Sequence, residues 1–471
     1  MKISKGVLIA TIGLIVWLIL SWLLGTWLHL KSPNIWILRG GLAFIGIIGF
    51  VGYLLLRPKP ARPEQPSQAN LLGEIDFIFS EATQRLRAAN LTKAKSAAGM
   101  PAIFVLGDSN TAKTSVLAHS GLEPELLAGQ AYQDNVVTPT RAVNMWYARQ
   151  TVFIDPAGKI IADAGARRRL FHKFAPVGVS SVLGGSAPAA RAVVITLDCE
   201  AFLQAGSSEA LSGKARQLQS LLGELSVELG TSLPVYVLFT KADRLPYFRE
   251  FVENLTEAEA AEIFGVTLPL QPTQAGVYAE EQSRRLTEAF QSLYHSLADR
   301  RPNFLAREHD GAKLPNIYEF PREFNKLRPL LVQFLVDLCR PSQLRTNAYL
   351  RGFYFTGVRP VVVNDLAPAA MPQVQPEPAA FDAGATRIFS RRQTGSPLAD
   401  TPHSASRKVP QWVFLSHLFS DLILADRPAL GLTQSSTKVS FWRRALMATA
   451  ALAALFLCVV WTLSFSGNHS L

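Results

Sequence analysis

The sequence predicts an α/β protein: a parallel sheet with helices on both faces, accompanied by a helical subdomain and three transmembrane helices. Four apolar runs, at 102–107, 150–158, 191–198 and 234–240, alternate with stretches of helical spacing. Continuous apolar runs of that length are the pattern of strands buried on both sides. Three further segments of more than twenty residues carry almost no charge, and about 20 apolar residues suffice to cross a bilayer. The composition agrees, with 48% apolar and only 18% charged residues among 471, an unusual balance for a water-exposed chain of two or three domains.

The first apolar segment is "GVLIATIGLIVWLILSWLLGTWLHL" (6–30). A secretory leader is the competing reading, because Lys2 and Lys5 precede it. A leader's apolar stretch runs only about 7–15 residues and ends in a small-residue cleavage site, which is not found here. "KSPN" (31–34) makes a turn, and "IWILRGGLAFIGIIGFVGYLLL" (35–56) returns, with Arg39 placed to reach the headgroups. The third span is "ALMATAALAALFLCVVWTLSF" (445–465). Lys2, Lys5, Arg57, Lys59, Arg62, Lys438, Arg443 and Arg444 all fall on one side if 6–56 is a hairpin. The positive side is the cytoplasm. Residues 57–444 are therefore expected to be cytoplasmic and the C-terminus periplasmic, in a multi-pass protein of the bacterial inner membrane.

Residues 1–56 thus form a transmembrane hairpin, and 57–98 a Pro-rich linker followed by a helix over 70–91. Residues 99–245 form a P-loop GTPase-like domain, and 246–364 a mainly helical cytoplasmic extension with a β-like stretch at 349–363. A disordered Pro-rich linker is expected over 365–410. Residues 411–444 hold an amphipathic helix (411–425) and a juxtamembrane segment before the third span. Cys199, Cys339 and Cys458 show no metal-ligand or paired spacing, which fits reduced thiols. The net charge is +11, but the basic residues sit in small clusters such as 167–169, 391–392 and 443–444 without interleaved aromatics. Nucleic acid is not an expected partner.

The P-loop reading comes from three motifs, each at the end of a predicted strand, where parallel sheets bind ligands. The first is "GDSNTAKTS", with Gly107 opening the loop and Lys113, Thr114 and Ser115 closing it. Backbone N–H groups would cradle phosphates, Lys113 would reach the β and γ oxygens, and Thr114 would hold Mg²⁺. Asn110 and Ala112 stand where glycines are usual. Asn tolerates a left-handed backbone, whereas Ala112 is strained if it must adopt one. The second motif is "DPAG", in which Asp155 would hold Mg²⁺ through water and Gly158 would meet the γ-phosphate. The third is "TKAD", with Lys241 and with Asp243 able to accept from the N1–H and N2–H₂ of guanine. Thr138 and Thr140 are candidates for a further hydroxyl on Mg²⁺.

A bland reading exists for each. Lys113 could be a solvated residue of a helix's first turn, Asp155 a turn cap before Pro156, and Asp243 an exposed loop carboxylate. The joint order of the motifs favours a site for GTP or ATP with Mg²⁺. Lys159 stands where small GTPases place a water-orienting Gln, so hydrolysis is expected to be slow or absent. Arg141 or the 167–169 cluster could offer a transition-state cation, and nothing in the sequence selects one.

The stretches "GDSNTAKTS", "TVFIDPAGKI", "VYVLFTKADRLPYF", "LRGFYFTG" and "FLSHLFSDLILADRPAL", together with the span pattern, resemble the IcmF/TssM family of type VI secretion inner-membrane proteins. The resemblance implies a core component that anchors the baseplate on its cytoplasmic side. Its partners would be a DotU/TssL-type membrane protein, baseplate components and further copies of itself. By position it makes Gly107, Lys113, Thr114, Asp155, Gly158, Lys241 and Asp243 a nucleotide site. The family continues past its third span into a periplasmic region that meets an outer-membrane lipoprotein. This chain ends at Leu471, so the resemblance covers the N-terminal and cytoplasmic part and no lipoprotein contact is expected of it.

Overall fold

The computed structural model describes residues 66–89, 97–133, 136–137, 140–175, 189–204, 206–270, 278–341, 347–365 and 405–432, with scattered single positions in 17–46 and 447–465. The chain divides into two compact units. One comprises Gly73–Pro176 and Ala187–Ser436, and the other Met1–Leu72, Val177–Ser186 and Thr437–Leu471.

The larger unit is built on an eight-stranded sheet. Its strands are β1 (Ala102–Gly107), β2 (Glu125–Ala128), β5 (Val143–Ala148), β6 (Thr151–Pro156), β7 (Arg191–Asp198), β8 (Pro234–Thr240), β9 (Gly265–Thr267) and β10 (Tyr349–Phe355). They lie in the order β2-β5-β6-β1-β7-β8-β10-β9. The five central strands, from β6 to β10, are mutually parallel. β5 and β2 continue one edge antiparallel, and β9 caps the other. β3 (Tyr132–Gln133) pairs with β4 (Val136–Val137), and β11 (Gly357–Asp365) with β12 (Ala405–Val413), as separate antiparallel ribbons.

All residues of β1, β6 and β8 are buried, which is why β1 and β8 read as nearly continuous apolar runs, while β6 also buries Thr151 and Asp155. Alternate residues supply the two faces. Ile103, Val105, Ala192, Val194, Tyr236 and Leu238 pack with Val116 and Leu117 of α2 (Lys113–Ala118) and with Leu415, Leu418, Phe419 and Ile423. On the opposite face Phe104 meets Phe171 and Phe174 edge-on at 5.9 and 5.4 Å. Phe171 lies on α4 (Ala164–Lys173), which follows the short α3 (Gly158–Ala162). Phe202 bridges Phe239 of β8 and Phe334.

The remaining helices are α1 (Pro66–Ala88), α5 (Ser207–Leu229), α6 (Phe248–Glu253), α7 (Glu257–Ala261), α8 (Tyr278–Arg307), α9 (Leu314–Asn325), α10 (Arg328–Leu338) and α11 (Arg427–Leu432). The stretch read as a mainly helical extension supplies α6 to α10. It also supplies β9 and β10, which extend the sheet itself.

The amphipathic helix expected over 411–425 is not what forms. Gln411, Trp412 and Val413 pair with β11, and Phe414 takes a left-handed φ of 64° that breaks the backbone there. Helical spacing begins only at Leu415. Its apolar side chains cover the sheet through a π-helical turn over Leu418–Ile423. Likewise Asp365 and 405–410, inside the stretch expected to be disordered, are strand residues; 366–404 lie outside the described residues. Among the described residues no helix is long and apolar enough to cross a membrane. The three expected spans, 6–30, 35–56 and 445–465, fall almost wholly outside those residues. One described pair there is in close contact: a Cβ at Gly46 would come 2.8 Å from Trp17 Nε1.

Candidate functional site

After β1 the chain runs left to β2, β5 and β6, and later crosses right to β7 and β8. The loop leaving β1 therefore lies at the point where the winding reverses, the usual ligand crevice of such sheets. Asn110 has φ 65° and Ala112 has φ 60° with ψ 24°. The backbone thus keeps the left-handed bends that glycines would normally supply. Asn110 accommodates its bend, while Ala112 bears a strain of about 1–2 kcal/mol. Gly107 permits a close approach, since a Cβ there would fall 2.6 Å from Thr196 O and 2.8 Å from Thr111 Oγ1. Thr111 Oγ1 donates to Asp108 O at 2.9 Å and lies 2.8 Å from Thr196 Oγ1. Thr240 Oγ1 is 3.1 Å from Thr111 O. These hydroxyls tie the loop to the ends of β7 and β8.

Lys113 does not wave in solvent. It is 8% exposed, and its Nζ donates to Gly107 O at 3.0 Å and Asp108 O at 2.7 Å. Burial lowers its pKa, against the pull of the Asp155 and Asp108 carboxylates. Asp108 itself is ion-paired to Lys214 of α5 at 2.6 Å.

Asp155 is fully buried. Its Oδ2 accepts from Thr114 Oγ1 at 2.6 Å and from Thr140 Oγ1 at 2.9 Å, and the two hydroxyl oxygens are 3.1 Å apart. Asn144 Nδ2 donates to Thr140 Oγ1 at 3.1 Å, while its Oδ1 accepts from Gln130 N at 3.0 Å. Among the described residues Asp155 Oδ1 has no hydrogen-bond partner within ordinary geometry. Burial raises the Asp155 pKa, with the Thr114 hydroxyl and Lys113 opposing it. An orphaned, fully buried carboxylate oxygen in a native site calls for an explanation.

A cleft of about 460 Å³ runs over residues 109–115, Thr140, Ala157 and Gly158 to Lys241 and Arg244. It brings together Asn110, Ala112, Lys113, Thr114, Ser115, Thr140, Gly158 and Lys241 of the expected set. Gly158 faces the loop closely, for a Cβ there would be 2.8 Å from Ser109 Oγ. Asp155 lies beneath, reached through Thr114 and Thr140. Thr138 is outside the described residues.

Asp243 is placed differently. It does not line the cleft, and its Oδ1 accepts from Val358 N at 3.2 Å. Lys241, at φ 56°, pairs with Asp198 at 2.7 Å. The 167–169 cluster is also committed elsewhere: Arg167 to Glu224 and Arg168 to Glu228 of α5, and Arg169 to Asp76 of α1. None of the three lines the cleft.

Sequence reasoning missed Ser109, Thr111, Asn144, Thr196 and Arg244. Thr196 and Thr240 each place a hydroxyl near the end of an apolar strand, a signal that could have marked Thr196. Asn144 gave none, because the strand carrying it was not recognised.

Among the described residues no cluster of three or more His, Cys, Asp or Glu could hold a metal unaided. The donor set here is one carboxylate with a free oxygen and two hydroxyls beside a backbone cradle. That set suits Mg²⁺, which keeps several waters and draws its other ligands from phosphates. Thr114, Thr140 and Asp155 would hold it, and it would supply positive charge to the cleft. Lys113 is held at the loop by Gly107 O and Asp108 O, and Gly158 lies close beside Ser109.

The chain is 27% identical over 414 residues to type VI secretion system component TssM1 of Pseudomonas aeruginosa, an alignment covering 85% of this chain and 35% of that protein. It thus spans about a third of the length of the curated relative it matches. Residues 188–454, from β7 to beyond β12, match the family model of the IcmF-related N-terminal domain. With more than half of its length inside that match, the chain belongs to the IcmF/TssM family.

Proposed function

We propose that this chain is an inner-membrane core and anchor component of a type VI protein secretion system. Its α/β domain docks a DotU/TssL-type membrane partner and baseplate components on the cytoplasmic side, and copies associate with one another. The observation that carries this reading is the similarity to TssM1 over most of the chain. The apolar segments 6–30, 35–56 and 445–465 provide the membrane anchor, and the close approach of Gly46 to Trp17 supports a hairpin of the first two. Crosslinking in cells tests the role. Secretion-apparatus proteins should be recovered with the chain, and consistent failure to recover them would count against it.

Within that role the cleft binds a nucleoside triphosphate with Mg²⁺ in the manner of a P-loop domain. Support comes from the buried Asp155, whose free oxygen lies beside two hydroxyls under a loop that holds Lys113. Hydrolysis is slow or absent, because Lys159 stands where a water-orienting Gln belongs. A second reading makes the chain a membrane-tethered GTPase or ATPase whose cycle drives a conformational change. The Thr114–Thr140–Asp155 contact favours it, since ligand binding at Thr114 would act directly on Thr140. Titration of the full chain with labelled GTP and ATP, with and without Mg²⁺ and with Lys113→Ala as control, separates the two. Saturable Mg²⁺-dependent binding without turnover supports the scaffold, and turnover lost in Lys113→Ala supports the enzyme.

A further inference from the structure

Lys241 and Arg244 line the same cleft as the loop leaving β1. Guanine selection through "TKAD" needs the carboxylate of Asp243 turned to the base, with both oxygens open to N1–H and N2–H₂. Asp243 is turned to the backbone instead. Its Oδ1 accepts from Val358 N at 3.2 Å, and its Oδ2 faces the Arg249 guanidinium at 3.6 Å. The contact is reciprocated across the same junction: Ala242 N donates to Thr356 O at 3.0 Å, and Thr356 N donates to Phe239 O at 2.9 Å. The two turns approach so closely that a Cβ at Gly357 would lie 2.9 Å from both Asp243 N and the Phe248 ring. Asp243 is left with a side chain only 16% exposed. These are the features of a cap that joins the ends of β8 and β10.

Lys241 and Arg244, which do line the cleft, discriminate poorly between bases. Arg244 is 47% exposed and ion-paired to Glu200, and Lys241 is ion-paired to Asp198. A guanidinium plane is attracted to the face of an aromatic ring. Every nucleobase offers such a face, so stacking tolerates any base. The specific chemistry lies with Lys113, Thr114, Thr140 and Asp155.

We infer that the cleft recognises a magnesium–triphosphate group and the face of the attached base against Arg244, without selecting guanine over adenine, and that Asp243 is a structural cap. This rests on the nucleotide reading above. It assigns to Arg244 a ligand contact and removes one from Asp243.

The test is displacement of isotopically labelled ATP from the full chain in lipid nanodiscs by unlabelled GTP, ATP and inorganic triphosphate, all with Mg²⁺. GTP and ATP should compete within about threefold of each other, a difference well under the tenfold that 1.4 kcal/mol represents. Inorganic triphosphate should also displace, more weakly. Arg244→Ala should weaken GTP and ATP alike by about fivefold, the size of an exposed cation–π contact, and leave inorganic triphosphate unchanged. Asp243→Asn should lower the unfolding temperature and keep the GTP-to-ATP ratio. A preference for GTP of about thirtyfold or more, lost in Asp243→Asn, would overturn the inference while leaving the nucleotide reading intact. If neither labelled ATP nor labelled GTP binds at all, the nucleotide reading falls and this inference falls with it.

Discussion

Thr114 Oγ1 lies 2.6 Å from Asp155 Oδ2, while the other oxygen of that buried carboxylate has no hydrogen-bond partner among the described residues. Two charged groups, Lys113 and Asp155, are held out of water here, and burial acts against the charged form of each. A ligand carrying Mg²⁺ and phosphates would satisfy both. Burial makes both charged forms costly, and the sign of several measurements follows from that.

Asp155→Asn should stabilise the ligand-free protein at pH 7. Its pKa in the folded chain is raised by burial above the ordinary 3.8. The stability tied to its neutral form is complete below pH 3.8 and is lost as pH rises through the elevated folded value. A neutral amide escapes that loss, so the unfolding temperature of the ligand-free chain should rise. The same change should abolish any rise in unfolding temperature caused by Mg²⁺-nucleotide, because a metal needs the ionised carboxylate. For the unsubstituted chain, ligand-induced stabilisation should fade as pH falls through the Asp155 value. Thermal unfolding followed across pH, with and without ligand, checks all three.

Thr114→Val should act in the opposite direction. It removes a hydroxyl that donates to a buried carboxylate, which costs about 1.5–3 kcal/mol for a hydrogen bond to a charged group. Mg²⁺-dependent binding should be lost, whereas Ser115→Ala, one residue on and lacking a side-chain contact to Asp155, should retain it. Paired unfolding and titration measurements on the two variants decide this.

These residues also show what the sequence could reveal. β1, β7 and β8 were legible to the residue because strands buried on both faces leave uninterrupted apolar runs. Asp155, Lys113 and Thr114 were legible because spacing after such a strand fixes position. β5 was not, since Val143–Ala148 contains Asn144 and ends near polar residues that hide its pairing with β6. The 411–425 stretch misled because Leu415, Leu418, Phe419 and Ile423 do have helical spacing, while Trp412 and Val413 belong to a ribbon and pair with Val358 and Gly357, far upstream. Asp243 was placed correctly along the chain, but no local pattern tells that Val358 N, from a distant strand, would take its oxygen.

Ala112→Gly should stabilise the chain. Ala112 sits at φ 60°, where an L-residue bears a strain of about 1–2 kcal/mol. Part of the relief, about 0.4–1 kcal/mol, is offset by the greater freedom of glycine in the unfolded chain. A net gain of about 0.5 kcal/mol remains, read as a higher unfolding temperature. Gly107→Ala should do the reverse, since the new Cβ would meet Thr196 O at 2.6 Å and Thr111 Oγ1 at 2.8 Å. It should both destabilise the fold and displace the loop, so nucleotide binding should fall with it.

Asp426 should titrate with the opposite sign to Asp155. It is buried beside Arg351, whose Nε lies 2.5 Å from Asp426 Oδ2, and Tyr236 donates to the same oxygen at 2.8 Å. Its Oδ1 accepts from Ala429 N at 3.3 Å, capping α11. Burial alone would raise its pKa, but the Arg351 and Tyr236 hydrogen bonds outweigh that and hold it below 3.8. Its contribution is therefore present above pH 3.8 and is lost as pH falls through the lowered folded value. Asp426→Asn leaves Arg351 buried without its counter-charge and should cost about 3–5 kcal/mol at neutral pH. Arg351→Met in the same chain should recover part of that loss, because no charge is then left unpaired. A double-mutant cycle at pH 7 measures the coupling, and repeating it under acid conditions should show it shrink. A coupling that stays constant with pH would assign the stability to packing of Tyr236 and Tyr349 around α11 and remove the ion pair from the account.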